Sequence, residues 1–158
     1  MSIYYCFIRS GEELRLLRVG DLLAETVRVP GGRAKNRKAE HIALPPQMRA
    51  ILDGLGLRAY PPTDYVFTRE RRPGAEPVGP NYFARKYAPV LRAVGLNGQN
   101  LSIYSYKHIG AINLYLASRD IELVRRHCRH AHAGITAPYL RALGAIHDGG
   151  RLDIMPDF

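Results

Sequence analysis

Cysteine is scarce in this 158-residue chain, acidic residues are in deficit, and long apolar runs are missing. Two cysteines, Cys6 and Cys128, cannot build a disulfide scaffold, so a reducing, cytoplasmic setting is expected. No apolar stretch approaches the roughly 20 residues of a membrane-spanning helix, so no membrane association is expected. Residues 1–7 are apolar but lack both a basic flank and a small-residue cleavage site, so a secretory signal is not expected either. There is no internal repeat and no low-complexity linker. With 46% hydrophobic and 23% charged residues, the composition is that of one globular domain spanning 1–158.

What is present in excess is positive charge. Lysine and arginine number 23 against 14 acidic residues, a formal net charge of +9. The stretch 146–158 is acidic, with Asp148, Asp153 and Asp157 against Arg151, so the rest of the chain is more basic still. Basic clusters recur at 33–38, 69–72 and 125–129. Any one of them is explained by a solvated face. Three of one sign in a small domain point to a polyanion, most simply nucleic acid.

The hydropathy pattern predicts a mostly α chain with one small sheet. A helix is expected over 11–18, with Glu12 and Glu13 in its first turn. Two alternating segments, 24–30 and 39–44, read as an antiparallel hairpin whose connection carries Lys35, Asn36, Arg37 and Lys38. Pro45-Pro46 opens a helix to about Leu55. Residues 60–80 hold five prolines and read as loop. A helix over 81–94 has a stripe of Phe83, Tyr87, Val90, Leu91 and Val94, with Pro89 expected to bend or split it. A strong helix over 105–117 is expected to turn Ile109, Ile112, Tyr115 and Leu116 inward. Asp120 caps a helix over 121–128, and a last helix covers 136–143.

The cluster His127, His130 and His132 beside Cys128 raises the question of a metal. Structural zinc sites draw on paired spacings such as C-x2-C, and no second such group exists here, so no metal is expected. Tyr104 and Lys107, three apart at the start of the 105–117 helix, are better placed for chemistry. A cation beside the free N–H groups of a helix start suits a phosphate, although a surface lysine at a helix start is the plainer reading of that pair alone. Tyr139 alone reads as a half-buried aromatic, and Arg9 as a residue reaching out from an apolar run.

Four segments in order resemble the catalytic domain of the tyrosine recombinase (phage-integrase) family. F-I-R-S-G-E-E-L-R-L-L-R-V-G-D-L at 7–22 is similar to the family's R-x-x-E-L box. A-K-N-R-K-A-E-H-I-A-L-P at 34–45 is similar to its lysine-bearing hairpin. I-Y-S-Y-K-H-I-G at 103–110 stands in the place of H-x-L-R-H, and R-H-A-H-A-G-I-T-A-P-Y-L at 129–140 is similar to G-H-s-s-…-T-…-Y. The resemblance covers almost the whole chain. It implies the DNA breaking-rejoining fold and site-specific recombination or integration through a 3′-phosphotyrosine, with no cofactor.

Carried over position by position, the resemblance makes Tyr139 the nucleophile, Arg9 the first catalytic arginine, and Glu13 or Glu12 the acid of the first box. Lys35 becomes the hairpin lysine, with Lys38 the second candidate, and His130 the later active-site histidine. Tyr104 stands where the family has histidine, and Lys107 where it has the second arginine. Arg37, Lys38, Arg69, Arg71, Arg72, Arg126 and Arg129 are expected on double-stranded DNA, on which the chain is expected to self-associate. Replacing a forked guanidinium by one compact ammonium costs about 2 kcal/mol or more of transition-state stabilisation. Two readings follow: a lineage variant, since Y-S-Y-K-H resembles a mobile-element branch, or decay to a catalytically impaired DNA-binding remnant. The resemblance also implies that a DNA-clamping domain and leading helices ahead of Arg9 are absent. On that basis the apolar surface over 3–8 is expected to be uncovered.

Overall fold

The computed structural model describes residues 1–34 and 38–146. They form seven α-helices and one two-stranded sheet: α1 (Ser2–Cys6), α2 (Glu12–Arg15), β1 (Thr26–Val29), β2 (Glu40–Ala43), α3 (Pro46–Gly54), α4 (Tyr82–Ala93), α5 (Ser105–Ser118), α6 (Ile121–Cys128) and α7 (Ala133–Ala142). Short 3-10 turns lie at Val19–Asp21 and Leu57–Ala59. The chain divides into two compact units, residues 1–110 and 111–158.

In the first unit the hairpin pairs antiparallel, Thr26 opposite Ala43 and Val27 opposite Ile42. The two-residue side-chain period of a strand sends Val27, Val29, Ile42 and Leu44 to one buried face. They meet Ile3, Cys6, Ile8, Leu14, Leu17 and Met48 in a single core. Pro46 starts α3 at its first position, where a missing N–H costs nothing. Beneath the sheet, the fully buried Asp21 carboxylate takes Arg28 at 3.0 Å and Arg33 at 2.8 Å, and also accepts the Arg18 backbone N–H at 3.1 Å. Arg33 additionally donates to the Leu16 carbonyl. Arg33 belongs to the basic cluster at 33–38, yet its charge is paired with Asp21, which ties the root of the hairpin connection to the segment after α2.

Several sequence expectations are corrected by the structure. Residues 3–8 are not an uncovered apolar surface. The sequence shows no helix there, but α1 forms, and Ile3, Cys6, Phe7 and Ile8 are buried. Gly110 makes this packing work, since a Cβ on it would lie 2.4 Å from the Tyr4 carbonyl oxygen and 2.7 Å from a Phe7 ring carbon. An open apolar groove of about 620 Å³ does lie beside this segment, lined by Ile3, Tyr4 and Tyr5 together with Phe67, Phe83 and Ile109. Ile109 and Leu116, expected inward, are exposed. The buried positions of α5 are Lys107, Gly110 and Ala111. Small residues there admit a close neighbour, so they outrank the larger aliphatic side chains. α2 is also shorter than 11–18, and in α4 Val90 and Val94 stay exposed while the helix runs through Pro89 without a break.

In the second unit α6 and α7 pack together. Asp120 caps α6 as expected, accepting the Leu123 N–H at 2.9 Å. Arg125, Arg126 and His127 occupy the last turn, where cations suit the helix dipole. The buried residues are Val124 and Cys128 on α6 and Thr136 and Leu140 on α7. α7 begins three residues before the expected 136, with His132 as its N-cap. Gly134 in its first turn hid that start, because glycine is a poor helix former.

Candidate active site

Arg9 follows the chain reversal at Phe7, which adopts a left-handed backbone conformation. Its guanidinium meets Glu13 Oε1 at 2.5 Å, and its backbone N–H donates to Glu13 Oε2 at 2.9 Å. Glu13 is buried and Glu12 exposed, so the acid facing Arg9 is Glu13. The Arg9 side chain keeps 26% of its surface open, enough for one edge of the fork to reach solvent.

Tyr104 immediately precedes α5. Its N–H donates to Ser102 Oγ at 3.2 Å, while the Ser102 N–H donates to Ser105 Oγ at 3.2 Å. These bonds satisfy donors at the entry to the helix. Lys107, one turn in, is 2% exposed, with Nζ 5.7 Å from the centre of the Tyr104 ring. Attraction between an ammonium and an aromatic face is strongest where water is excluded. The Tyr104 ring also meets His108 edge-on at 5.1 Å. Burial, and then the Lys107 charge, hold the His108 imidazole below its usual range, which favours its neutral form.

The second unit carries the other pair. His130 and Tyr139 meet edge-on with ring centres 5.4 Å apart. His130 Nδ1 lies 3.0 Å from the Thr136 hydroxyl, and Arg125 donates to the His130 carbonyl at 2.8 Å. His130 and Tyr139 are both half-buried. Arg129 ends α6 in the left-handed region and is half-buried. Arg126 is exposed, 3.8 Å from Glu122. Arg125 grips Glu122 at 2.6 and 2.7 Å, which holds that carboxyl below the usual carboxylate range.

The expected DNA-contacting residues Lys38, Arg69, Arg71 and Arg72 are exposed, whereas Lys35 and Arg37 lie outside the described residues. Arg69 and Arg71 border a hollow of about 620 Å³ together with Tyr82, Arg85, Lys86 and Pro89. Sequence reasoning overlooked Arg85 and Lys86. The available signal was an adjacent basic pair one turn after Tyr82 in α4. Glu70 dilutes this cluster: its own backbone N–H, then Thr68, keep its carboxyl low and therefore charged. Among the described residues, no three His, Cys, Asp or Glu side chains are grouped to hold a metal ion, and no helix is long and apolar enough to cross a membrane.

No family model matches the sequence, and no curated protein matches it. Solved structures do match. The crystal structure of XerA recombinase superposes with a TM-score of 0.66 at 21% identity, over 87% of this chain and 49% of that one. XerH site-specific recombinase, bound to palindromic difH substrate in a post-cleavage complex, gives 0.65 at 21% identity, over 89% and 40%. Its pre-cleavage complex with difH gives 0.64 at 21% identity, over 87% and 40%. The fold is that of the tyrosine recombinase catalytic domain. The chain spans half or less of the length of each recombinase it matches.

Proposed function

We propose that this chain is the catalytic part of a site-specific DNA recombinase, which cuts and rejoins strands through Tyr139. The observation that carries the reading is the edge-on packing of Tyr139 against His130, in a fold otherwise seen in recombinases. In-line attack by the Tyr139 oxygen on a phosphodiester forms a phosphorus–oxygen bond to the 3′ side and releases a 5′-hydroxyl. An unperturbed phenol has a pKa of about 10, so attack near neutral pH needs a cationic or basic neighbourhood. His130 supplies a titratable group beside the ring. Arg9 and Lys107 are assigned the non-bridging oxygens, where positive charge lowers the barrier. Tyr104 is assigned a supporting hydrogen bond. Lys35 is assigned the proton delivered to the leaving 5′-oxygen. The phosphotyrosine conserves the bond energy, so rejoining needs no nucleotide cofactor.

Double-stranded DNA is the proposed substrate. XerH site-specific recombinase is solved bound to its palindromic difH substrate, and here Arg69, Arg71, Arg85 and Lys86 edge one basic hollow. Arg72, Lys38, Arg37, Arg126 and Arg129 are proposed to add to the electrostatic grip, and self-association on DNA is proposed with it. The Tyr-Ser-Tyr-Lys-His segment at 104–108 favours an integrase of a mobile element working in the cytoplasm. The same segment favours a second reading, an impaired DNA-binding remnant, because the buried Lys107 cannot give a forked grip.

A nicked suicide duplex separates the two. The active enzyme forms a covalent protein–DNA adduct that is lost in Tyr139→Phe while binding persists. If the unaltered chain binds DNA but yields no adduct, the remnant reading stands.

A further inference from the structure

Thr136, the threonine of the last resembling segment, lies in contact with His130. Thr136 is fully buried in the first turns of α7, and its hydroxyl sits 3.0 Å from His130 Nδ1. The backbone of the same histidine is held by Arg125, whose guanidinium donates to its carbonyl. Imidazole has two nitrogens, and a half-turn of the ring exchanges Nδ1 with a carbon. That half-turn would set a C–H against the Thr136 hydroxyl, an oxygen without access to water, and forfeit the hydrogen bond. The present orientation is therefore the favoured one, and it leaves Nε2 on the ring edge away from the Thr136 hydroxyl.

We propose that Thr136 is a positioning residue that holds the His130 imidazole in one orientation through Nδ1, so that Nε2 is the nitrogen that serves the phosphodiester. The proposal deepens the strand-transfer reading and rests on it. Thr136 touches no reacting atom in this scheme and acts only through His130.

The decisive measurement does not depend on activity. Long-range 1H–15N correlation of the full chain reads the two ring nitrogens of each histidine, with His130 assigned by its loss in His130→Gln. The Nδ1 resonance of His130 is expected at the same, hydrogen-bonded position in the unaltered chain and in Thr136→Ser, and displaced in Thr136→Val. Thr136→Ala gives the same comparison where the valine variant does not fold. On the suicide duplex, Thr136→Val should slow adduct formation about tenfold, the rate equivalent of one ordinary hydrogen bond. Thr136→Ser should recover it, and in a His130→Gln background the valine change should cost nothing further. An Nδ1 resonance in Thr136→Val that matches the unaltered chain overturns the assignment. A Thr136-dependent Nδ1 resonance with no adduct removes the strand-transfer reading while confirming the clamp.

Discussion

Glu13 holds Arg9 at both ends, one carboxylate oxygen on its backbone N–H and the other on its guanidinium. A carboxylate that is 2% exposed survives only with such partners, and its loss would leave Arg9 unsupported. Glu13→Ala should therefore cost about 2–3 kcal/mol in a urea titration, below the range for a wholly buried pair because Arg9 is partly open. Glu12→Ala, at an exposed position, should stay within about 0.5 kcal/mol. Equal effects at the two positions would refute the assignment of Glu13 as the partner.

Gly110→Ala tests the close approach of α1 to α5. The added methyl meets backbone at 2.4 Å, which no side-chain rotation relieves. Overpacking of this kind costs about 1–3 kcal/mol or more, visible as a lower melting temperature. Gly11→Ala, with open space around it, serves as the control.

Much of this architecture is legible in the amino-acid order. The hairpin is announced by β-branched alternation on both sides of Gly31-Gly32, and α6 by Asp120 three residues ahead of Leu123. The four resembling segments anticipate the fold seen in XerA and XerH. The inward face of α5 is not legible, because Lys107 and Gly110 rank low on any hydropathy scale and are buried for reasons of tertiary packing. α1 is likewise hidden, since a five-residue helix carries no periodicity to read. Asp21 and Thr136 both fall within resembling segments, but their roles rest on contacts, with Arg28 and Arg33 for the one and with His130 Nδ1 for the other, that only the folded chain makes.

Acid should weaken the fold through His108. Its imidazole is held below the ordinary histidine value, first by burial and then by Lys107. The unfolded chain therefore takes up a proton at higher pH than the folded one. Stability is full above about pH 6.5 and declines as pH falls towards and through the folded value. His108→Gln should flatten that part of the stability–pH curve; an unchanged slope in the variant would exclude His108 as its source.

DNA binding should report on the hollow edged by Arg69, Arg71, Arg85 and Lys86. Each phosphate contact contributes about 0.9 to the slope of log affinity against log salt. Replacing Arg85 and Lys86 together by alanine should weaken duplex binding at low salt and reduce that slope by about two. Substituting Arg33 and Arg125, whose guanidinium groups are already engaged by Asp21 and Glu122, should leave the slope nearly unchanged.

Cys6 lies at the end of α1 with no exposed surface, and burial pushes its thiol up to about 12. At neutral pH the thiol at that position stays protonated rather than forming the reactive thiolate. Alkylating reagents therefore stay inert towards the native N-terminal turn and label it only when it peels away. This sulfur is a built-in clock for the opening of the segment that carries Arg9.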